Sequence, residues 1–466
     1  MSIQNMTTIV IILIAVSIRV MVDVHSQKKM LILSQYVRIY TFEDHALIYN
    51  TINGEIIILP IDGIKGGVVS KQLEDSVKGY MYKHYFLDRE LPWNKFEEQF
   101  ESNDRLLISL ETFLACNLSC PYCYQINNNH PKIKISLQNL DLLFEYIAHV
   151  HQKVNFKILL LKILGGEPSL DWEQANYLLQ KIIPFCKSNN IKLDLRVDTN
   201  CTNISQFTSI IGYDSIHFTI PLCHKEQHNK YRHYRNGEGT YDDIIRNLKI
   251  LEKMPNCQIV LRHNTDAYNI TMFDAYLEDI SQRGLHNPTI MPQYTTDPDC
   301  GDYRNQLTYQ QYINWLSTDC IDNLIKYGFN ITIYPRLLLN GKCQHWSNYS
   351  LKLFSDGKVG ACAAHFFDPQ NPYLTDIMKN GVESIQTYWN AAKATQLFRD
   401  TKCKKCSSFF GCSSHYKLPC IQELQINPCN PEENLYLNWQ LFFKTVYKHI
   451  KIGNLDRFPG LNIKII

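Results

Sequence analysis

The strongest constraint on the fold is an alternation of strand-like and helical segments that begins near residue 105. Five runs rich in Ile, Leu and Val read RLLISLETF, FKILLLKILGGEP, IKLDLRVDTN, SIHFTIPL and CQIVLRHNT, and amphipathic helical stretches lie between them. Such alternation is typical of right-handed βαβ units, in which helices cover a parallel sheet. Five to six units over about 200 residues predict an α/β fold with a partial (β/α)6 TIM-like barrel, because a full barrel needs ~250 residues.

Three unusual motifs follow the first three of these strands. Cys116, Cys120 and Cys123 follow the first strand in LETFLACNLSCPYCYQ, GGEP follows the second and TNC follows the third. Functional groups of parallel barrels gather at the carboxyl ends of the strands. We therefore expect the three motifs to meet on one rim of the barrel.

Length and charge narrow the function classes. A chain of 466 residues is too long for one core and predicts two or three folding units. The net charge of +2 gives no electrostatic reason to expect nucleic acid or an anionic membrane surface as a partner. The sequence contains no HExxH, P-loop or Gly-x-Ser-x-Gly element, so metalloprotease, phosphoryl-transfer and serine-hydrolase activities have no support.

The first 103 residues divide into two parts. Residues 1–29 contain an apolar run shorter than the ~20 residues of a membrane helix, so a membrane association is not expected. This run is either a targeting segment or lies upstream of a true start at Met21 or Met30. Residues 30–103 begin with alternating apolar and polar positions around the Asn-Gly pair at 53–54, which predicts a hairpin in a small β-rich region.

The close spacing of three cysteines favours one kind of metal site. Three thiolates can bind three irons of a cubane cluster and leave the fourth iron open to an exchangeable ligand. A structural zinc site normally has four protein ligands and more often shows paired CxxC turns. The CxxxCxxC spacing, with Tyr122 directly before the last cysteine, therefore favours a four-iron cluster over zinc.

With this motif after the first strand and GGEP after the second, the sequence resembles the radical S-adenosylmethionine (radical SAM) superfamily. The resemblance implies that residues 104–320 form the barrel and that Cys116, Cys120 and Cys123 hold a [4Fe–4S] cluster. It also implies that S-adenosylmethionine binds the open iron and is cleaved to a 5'-deoxyadenosyl radical. Glycines allow close approach of backbone to a ligand, and a carboxylate complements an ammonium group. Residues of these motifs implied in cofactor binding are Tyr122, Gly165, Gly166, Glu167 and Pro168.

Later segments extend the resemblance. TNC resembles the family element TNG and adds Asn200, while LRHNTD resembles the RxN element of the fifth strand and adds Arg262 and Asn264 as candidate cofactor residues. Alternate strand positions share one face, although a solvated strand edge would have the same pattern. HNKYRHYRNGEGTYDDIIRNL also matches a family segment. The stretch FTIPLCHKEQH departs from the Ser-x-Asp-Gly element of peptide-modifying members, which counts against sulfatase-maturing chemistry.

The cysteines near the C-terminus resemble the SPASM extension of radical SAM enzymes, which holds auxiliary iron–sulfur clusters. We expect this Cys-rich SPASM domain at 335–435, followed by a C-terminal tail at 436–466. The spacing departs from the family pattern because Tyr416 stands where the last cysteine of Cx2Cx5Cx3C is expected. The resemblance implies two ligand sets, the second with its fourth position either open or filled from upstream, where Cys300 and Cys320 are candidates. These sets are Cys403, Cys406, Cys412 and Cys429 for one cluster, and Cys343, Cys362 and Cys420 for the other.

A zinc ribbon formed by Cys403, Cys406, Cys412 and Cys420 is the competing interpretation of this region. The isolated cysteines Cys186, Cys201, Cys223 and Cys257 are expected to be small buried hydrophobic residues.

The resemblance implies a peptide maturase of the radical SAM/SPASM type, an oxidoreductase that modifies a ribosomally made precursor peptide or protein side chain. Its expected cofactors are the first [4Fe–4S] cluster, S-adenosylmethionine and one or two auxiliary [4Fe–4S] clusters. Its expected partners are the substrate peptide and an external electron donor such as flavodoxin or ferredoxin. Because reduced clusters and thiolates need a reducing interior, we expect a cytoplasmic protein. The alternatives are an anaerobic sulfatase-maturing, formylglycine-generating enzyme and a non-catalytic zinc-binding protein.

Overall fold

The described residues form a large sheet that carries the cysteine motif, a smaller one near the N-terminus, and a separate two-stranded sheet of Ile64–Lys65 and Val68–Val69. The computed structural model describes residues 31–123, 133–285, 287–295, 303–335, 337–339, 349–360, 375–376, 401–407, 409–411 and 437–466. The strands are β1 (Val37–Thr41), β2 (His45–Asn50), β3 (Glu55–Pro60), β4 (Ile64–Lys65), β5 (Val68–Val69), β6 (Arg105–Glu111), β7 (Ile158–Leu164), β8 (Lys192–Asp198), β9 (Ser215–Pro221), β10 (Cys257–Thr265), β11 (Thr289–Tyr294), β12 (Leu351–Leu353), β13 (Lys358–Gly360), β14 (Thr375–Asp376) and β15 (Asn462–Ile465).

Helices lie between most successive strands from β6 to β11, although none lies between β8 and β9. The helices of the described residues are α1 (Asp75–Lys83), α2 (Trp93–Glu101), α3 (Leu137–Val154), α4 (Glu173–Ser188), α5 (Lys225–Tyr231), α6 (Tyr241–Leu251), α7 (Phe273–Gln282), α8 (Tyr309–Leu316), α9 (Asp319–Lys326), α10 (Thr401–Lys404) and α11 (Trp439–Lys451). Side chains fix several of the starts. The Ser136 hydroxyl accepts the N–H of Asn139 at the start of α3, and Thr308 and Gln311 form a capping box on α8. No helix in the described part of the chain has the length and apolar character required to cross a bilayer.

The large sheet has the strand order β11-β10-β9-β8-β7-β6-β12-β13-β14. Strands β6 to β12 pair in parallel, whereas β13 and β14 add antiparallel strands at one edge. The predicted α/β class and the five predicted strands β6–β10 are confirmed. Pairing among the described residues gives an open sheet with β11 and β14 at its edges, in agreement with a partial barrel. Strand β11 was not predicted, and neither was the extension of the sheet by β12–β14.

Alternation along each strand separates an apolar face from a polar one. In β8, Leu193, Leu195 and Val197 are buried in the main core against the helices, whereas Asp194, Arg196 and Asp198 alternate with them and are only partly buried. The same two-residue period places polar side chains of β7, β9 and β10 on the face away from the helices. The face of the sheet away from the helices therefore carries charged and polar side chains in β8–β10 and Lys162 in β7.

The small sheet has the order β1-β2-β3-β15. The predicted hairpin is confirmed, since β2 and β3 are antiparallel and Gly54 in the connecting turn has φ of 78°, a conformation that favours glycine. Residues 437–466, most of the predicted C-terminal tail, form α11 and β15. Strand β15 pairs in parallel with β3, so that Ile463 lies beside Ile56. The two ends of the described chain thus share one sheet.

Candidate active site

The cysteine loop begins directly after β6. Cys120 is 6% exposed, and Cys116 and Cys123 are partly buried. The backbone N–H of Cys123 donates to the carbonyl of Cys120 at 3.1 Å, which closes a tight turn around the last two cysteines. At the other end of the loop, the N–H of Leu118 donates to the sulfur of Cys116 at 3.4 Å. Backbone hydrogen bonds therefore fix the loop near each of the three sulfurs.

The two glycines of GGEP bring the end of β7 against this loop. The N–H of Gly166 donates to the carbonyl of Phe113 at 2.7 Å, and that of Glu167 donates to Ala115 at 2.8 Å. A Cβ on Gly165 would lie 2.4 Å from the carbonyl oxygen of Phe113, and one on Gly166 would lie 2.2 Å from that of Ala115. Only glycine allows this contact, so the motif supports the residues that lead into Cys116. Direct contact of this motif, Pro168 included, with a cofactor stays a prediction.

Glu167 joins the ends of β7 and β8. Its side chain is fully buried, with Oε1 accepting from the Thr199 hydroxyl at 2.7 Å and from the Ser169 N–H at 3.0 Å. Oε2 accepts from the backbone N–H of Asn200 at 2.6 Å. Burial raises the pKa of Glu167, and these hydrogen bonds oppose the increase. Since a carboxylate has about four acceptor sites, most of its hydrogen-bonding capacity is used within the protein.

Asn200 connects the third strand end to the cysteine loop. Its side-chain nitrogen donates to Asn117 Oδ1 at 2.8 Å and lies 3.8 Å from the sulfur of Cys116, within hydrogen-bond distance for sulfur. Its Oδ1 accepts from the backbone and the hydroxyl of Thr202 at 2.9 and 2.8 Å. The structure thus brings Asn200 to Cys116, and the three motifs meet on one rim as the sequence predicted.

Arg262 and Asn264 occupy alternate positions of β10 on the polar face. An Arg262 nitrogen lies 3.6 Å from Asp198 Oδ2, and Lys162 Nζ forms an ion pair with the same oxygen at 2.8 Å. Burial would raise the pKa of Asp198, but Lys162 and Arg262 hold it below its usual value. Arg262 is therefore linked through Asp198 to the strand end that carries Asn200. For Asn264, the structure records that its backbone carbonyl accepts from Asn269 at 2.6 Å.

The thiols of the loop interact with one another. The pKa of Cys116 is raised to about 11, chiefly by burial and further by Glu167, Cys120 and Cys123, while the Leu118 N–H opposes the increase. A thiolate at Cys116 therefore requires a compensating positive charge. Iron supplies such a charge in a cluster. No group of three His, Cys, Asp or Glu side chains within the described residues is arranged to hold a single metal ion. In a cubane, by contrast, each thiolate binds a different iron.

Sequence reasoning missed a cluster of side chains around Tyr122. The Tyr122 ring makes edge contacts with Tyr231 and Tyr303, at centroid distances of 6.3 and 5.4 Å. The Tyr303 hydroxyl donates to the buried Asp266 at 3.0 Å, and Arg232 is hydrogen-bonded to Tyr122. Tyr231 and Arg232 lie within the segment HNKYR that carried part of the resemblance, which was the one available sign. Proximity of residues 303 and 266 to the loop depends on tertiary structure and had no local pattern.

Of the C-terminal cysteines, the structure describes Cys403 and Cys406. The N–H of Cys406 donates to the carbonyl of Cys403 at 2.8 Å, the same turn that joins Cys120 and Cys123. This turn contacts the small sheet, since the Tyr36 hydroxyl donates to the Lys404 carbonyl and Arg38 donates to Ser407 at 3.4 Å. The other predicted ligands lie outside the described residues: Cys343, Cys362, Cys412, Cys420, Cys429 and the candidate Cys300.

The remaining cysteines are mostly buried. Cys186, Cys201 and Cys223 are buried as predicted, and Cys257 is partly buried at the start of β10. Cys320, the other candidate ligand, is fully buried in α9 as part of the main core.

Comparison with known proteins gives relatives by sequence and solved structures of similar fold. No family model matches the sequence. An uncharacterized protein of Methanocaldococcus jannaschii, MJ0907, is 26% identical over 140 residues, which span 29% of this chain and 45% of that protein. The chain thus matches less than half of the length of this relative. The cysteine-type anaerobic sulfatase-maturating enzyme of Clostridium novyi is 24% identical over 335 residues, or 64% of this chain and 84% of that enzyme.

Solved structures agree with the second relative. The enzyme anSMEcpe, solved with bound AdoMet and the Kp18Cys peptide, superimposes with a TM-score of 0.52 at 16% identity, over 76% of this chain and 99% of its own. Streptococcus suis SuiB bound to S-adenosylmethionine gives a TM-score of 0.50 at 12% identity, over 87% of this chain and 99% of its own. The chain therefore has the fold of radical SAM maturases, and the resemblance to this class is confirmed. At these identities the structural match establishes the fold alone.

Proposed function

We propose that this protein is a radical SAM enzyme that modifies a side chain of a ribosomally made peptide or protein. The observation that carries the proposal is the convergence of three cysteines with the ends of β7 and β8 on one rim of a maturase-like sheet. Cys116, Cys120 and Cys123 would hold a [4Fe–4S] cluster, which would offer an open iron to S-adenosylmethionine and would supply the electron for radical chemistry on the substrate.

The residues around the loop hold its cysteines in place and keep water away. Glu167 accepts three hydrogen bonds from β7 and β8 ends, and this fixes Asn200 where its amide reaches the sulfur of Cys116. Hydrogen bonds to a ligating sulfur influence the potential of a cluster. Because Glu167 and Asn200 are both buried, the side of the loop that faces β8 is shielded from solvent.

The polar face of β8–β10, together with Lys162 of β7, is suited to an extended peptide. It combines Lys162, Asp198 and Arg262 in one ion-paired group and Asp194, Arg196 and His217 in another. Backbone amides of a peptide need hydrogen-bond partners when they are buried, and such a face offers both donors and acceptors. The peptide complex recorded for anSMEcpe is in keeping with this role.

Cys403 and Cys406 support the proposal of at least one auxiliary [4Fe–4S] cluster. Their turn has the same backbone hydrogen bond as the turn of Cys120 and Cys123, and Cys406 is exposed, so there is room beside it for the other ligands of a cluster. An external donor such as flavodoxin or ferredoxin would supply electrons. We also propose a cytoplasmic location, because thiolates and reduced clusters persist in a reducing compartment.

The second candidate is a sulfatase-maturating activity, which the match to 84% of the Clostridium novyi enzyme favours. The stretch at the end of β9 counts against it, since it carries Pro221 and Cys223 but no Asp or Gly of the Ser-x-Asp-Gly element. Incubation with peptides that contain the Cys or Ser target of such enzymes separates the two: formylglycine in the product would favour the second candidate.

The decisive experiment is anaerobic reconstitution with iron and sulfide, followed by dithionite and S-adenosylmethionine. Wild-type protein should release 5'-deoxyadenosine, measured by liquid chromatography and mass spectrometry. Cys120→Ala should abolish the release, whereas Cys186→Ala, a buried cysteine in α4, should retain it. Bound zinc with negligible iron would contradict the proposal and support the non-catalytic zinc-binding alternative.

A further inference from the structure

The segment that follows α5 runs antiparallel to the cysteine loop. Leu118 and Tyr234 form a β-bridge, and the N–H of Ser119 donates to the carbonyl of His233 at 3.3 Å. These contacts involve the part of the loop that lies between Cys116 and Cys120. The residue directly before this pairing, Arg232, is therefore held beside the cysteines.

The backbone of Arg232 is anchored on both sides. Its N–H donates to the carbonyl of His228 at 2.6 Å, which continues the last turn of α5. Its carbonyl accepts from the buried Thr240 hydroxyl at 2.5 Å. With both backbone groups fixed, the direction in which the side chain leaves the chain is fixed as well.

The Arg232 side chain enters the site and is 6% exposed. The guanidinium donates to the Tyr122 hydroxyl, and its charge interacts with the sulfurs of Cys120 and Cys116. Its Nε has no hydrogen-bond partner. Among the residues that the structure describes, no Asp or Glu forms an ion pair with it.

A buried charge without a counter-charge is unfavourable, and an arginine cannot lose its charge by deprotonation. Two buried carboxylates near the cysteine loop and Tyr303 already have several donors. Glu167 is satisfied by Ser169, Thr199 and Asn200, and Asp266 accepts from two backbone N–H groups and from Tyr303. Among the described residues of the site, cysteine thiolates are then the acidic groups that remain to balance Arg232.

We propose that Arg232 is a positioning residue of the cluster site, whose buried charge offsets the negative thiolates of Cys116 and Cys120 and favours reduction of the cluster. The inference rests on the proposed function. Reduction adds one negative charge to the cluster, and a fixed cation nearby stabilises the more negative state. Removal of the charge should therefore make the cluster harder to reduce.

The test compares reconstituted wild-type protein with Arg232→Gln, Arg232→Lys and the matched control Arg235→Gln. Arg235 lies three residues further along the same segment and is exposed. Iron content is measured first, and the midpoint potential is then obtained by a redox titration monitored by electron paramagnetic resonance. The signal followed is the one that S-adenosylmethionine changes, because this identifies the cluster with the open iron.

At the wild-type midpoint, Arg232→Gln should reduce the ratio of reduced to oxidised cluster at least tenfold, a shift of about 59 mV for one electron. Arg232→Lys keeps the charge, so its ratio of reduced to oxidised cluster should stay within twofold of wild type. The same is expected of Arg235→Gln. A full iron content in Arg232→Gln with an unchanged potential would overturn the inference, since a structural role alone would not require a potential shift.

Tyr122→Phe separates charge from hydrogen bonding and keeps the test decisive if Arg232→Gln binds no iron. This variant removes the acceptor of the guanidinium but retains the charge, so its ratio of reduced to oxidised cluster at the wild-type midpoint should stay within twofold of wild type. Because Tyr122 is itself a candidate cofactor residue, this ratio is measured before S-adenosylmethionine is added. If Tyr122→Phe and Arg232→Lys both lowered the ratio of reduced to oxidised cluster tenfold, the effect would be due to the hydrogen bond and the inference would be overturned. A wild-type protein without iron or without 5'-deoxyadenosine release would instead contradict the proposed function itself.

Discussion

Replacement of Gly166 by alanine tests whether the contact between GGEP and the cysteine loop requires glycine. The new Cβ would lie 2.2 Å from the carbonyl oxygen of Ala115 and 2.5 Å from that of Leu114. Both neighbours are backbone atoms of the segment that leads into Cys116, so no side-chain rotation relieves the overlap. The loop must move away from β7.

The expected cost combines two effects. Overpacking in a well-packed region costs about 1–3 kcal/mol. Movement of the loop also weakens the 2.8 Å hydrogen bond from Glu167 to Ala115, and a typical hydrogen bond contributes about 0.5–1.5 kcal/mol. We therefore expect Gly166→Ala to lower the free energy of unfolding by about 2–4 kcal/mol. The reconstituted protein should also contain less iron, because the position of Cys116 changes.

Urea denaturation of the metal-free protein measures the stability, and an iron assay measures cluster loading. The matched control is Gly79→Ala. Gly79 lies within α1, and no atom lies within 4 Å of a Cβ built there. Alanine is favoured over glycine in a helix interior by up to about 1 kcal/mol, so the control should be neutral or more stable. If Gly166→Ala were as stable as wild type and loaded iron fully, the proposed close contact would be wrong.

Three further predictions concern the site and the two sheets. Glu167→Gln replaces one acceptor oxygen by an amide donor and should lower the free energy of unfolding by about 1.5–3 kcal/mol in urea denaturation. The same change at the exposed Glu173 should lower it by less than about 0.5 kcal/mol. Equal effects would contradict the role of Glu167 in joining the ends of β7 and β8. Because the pKa of Asp198 is depressed in the folded protein, its contribution to stability is complete above its unfolded pKa of ~3.9 and is lost as the pH falls through the lower folded value. The difference in free energy of unfolding between wild type and Asp198→Asn should therefore shrink between about pH 5 and pH 2. A constant difference would refute this. Deletion of residues 462–466 should expose the edge of β3 and increase its amide hydrogen exchange, and unchanged protection would show that the pairing is dispensable.

The sequence predicted the elements that depend on local patterns. Apolar runs of β6–β10 and the Asn-Gly turn between β2 and β3 carry their own periodicity and turn chemistry, and the structure confirms them. The common rim of the cysteine loop, GGEP and TNC followed from the parallel arrangement alone.

Elements that depend on non-local pairing were not predictable in this way. Strand β11 contains Pro292 in TIMPQY, which weakens a strand prediction, and pairs at the edge where proline is tolerated. In the three-residue strand β12, Leu351 pairs with Ile108 of β6, which lies 243 residues earlier in the chain. No local pattern could identify that partner. Arg232 was missed for the same reason: its proximity to Cys120 results from the bridge between Leu118 and Tyr234.

Pairing of β15 with β3 has a consequence for biosynthesis. Residues 462–465 leave the ribosome 407 residues after residues 55–58, so the small sheet gains its fourth strand long after the other three have been synthesised. During that interval the Ile-rich β3 presents an open edge, which is a hazard for intermolecular association. Expression trials that slow the last part of synthesis, or that fuse a bulky partner directly after Ile466, should therefore yield more insoluble protein than those with a fusion at the other end.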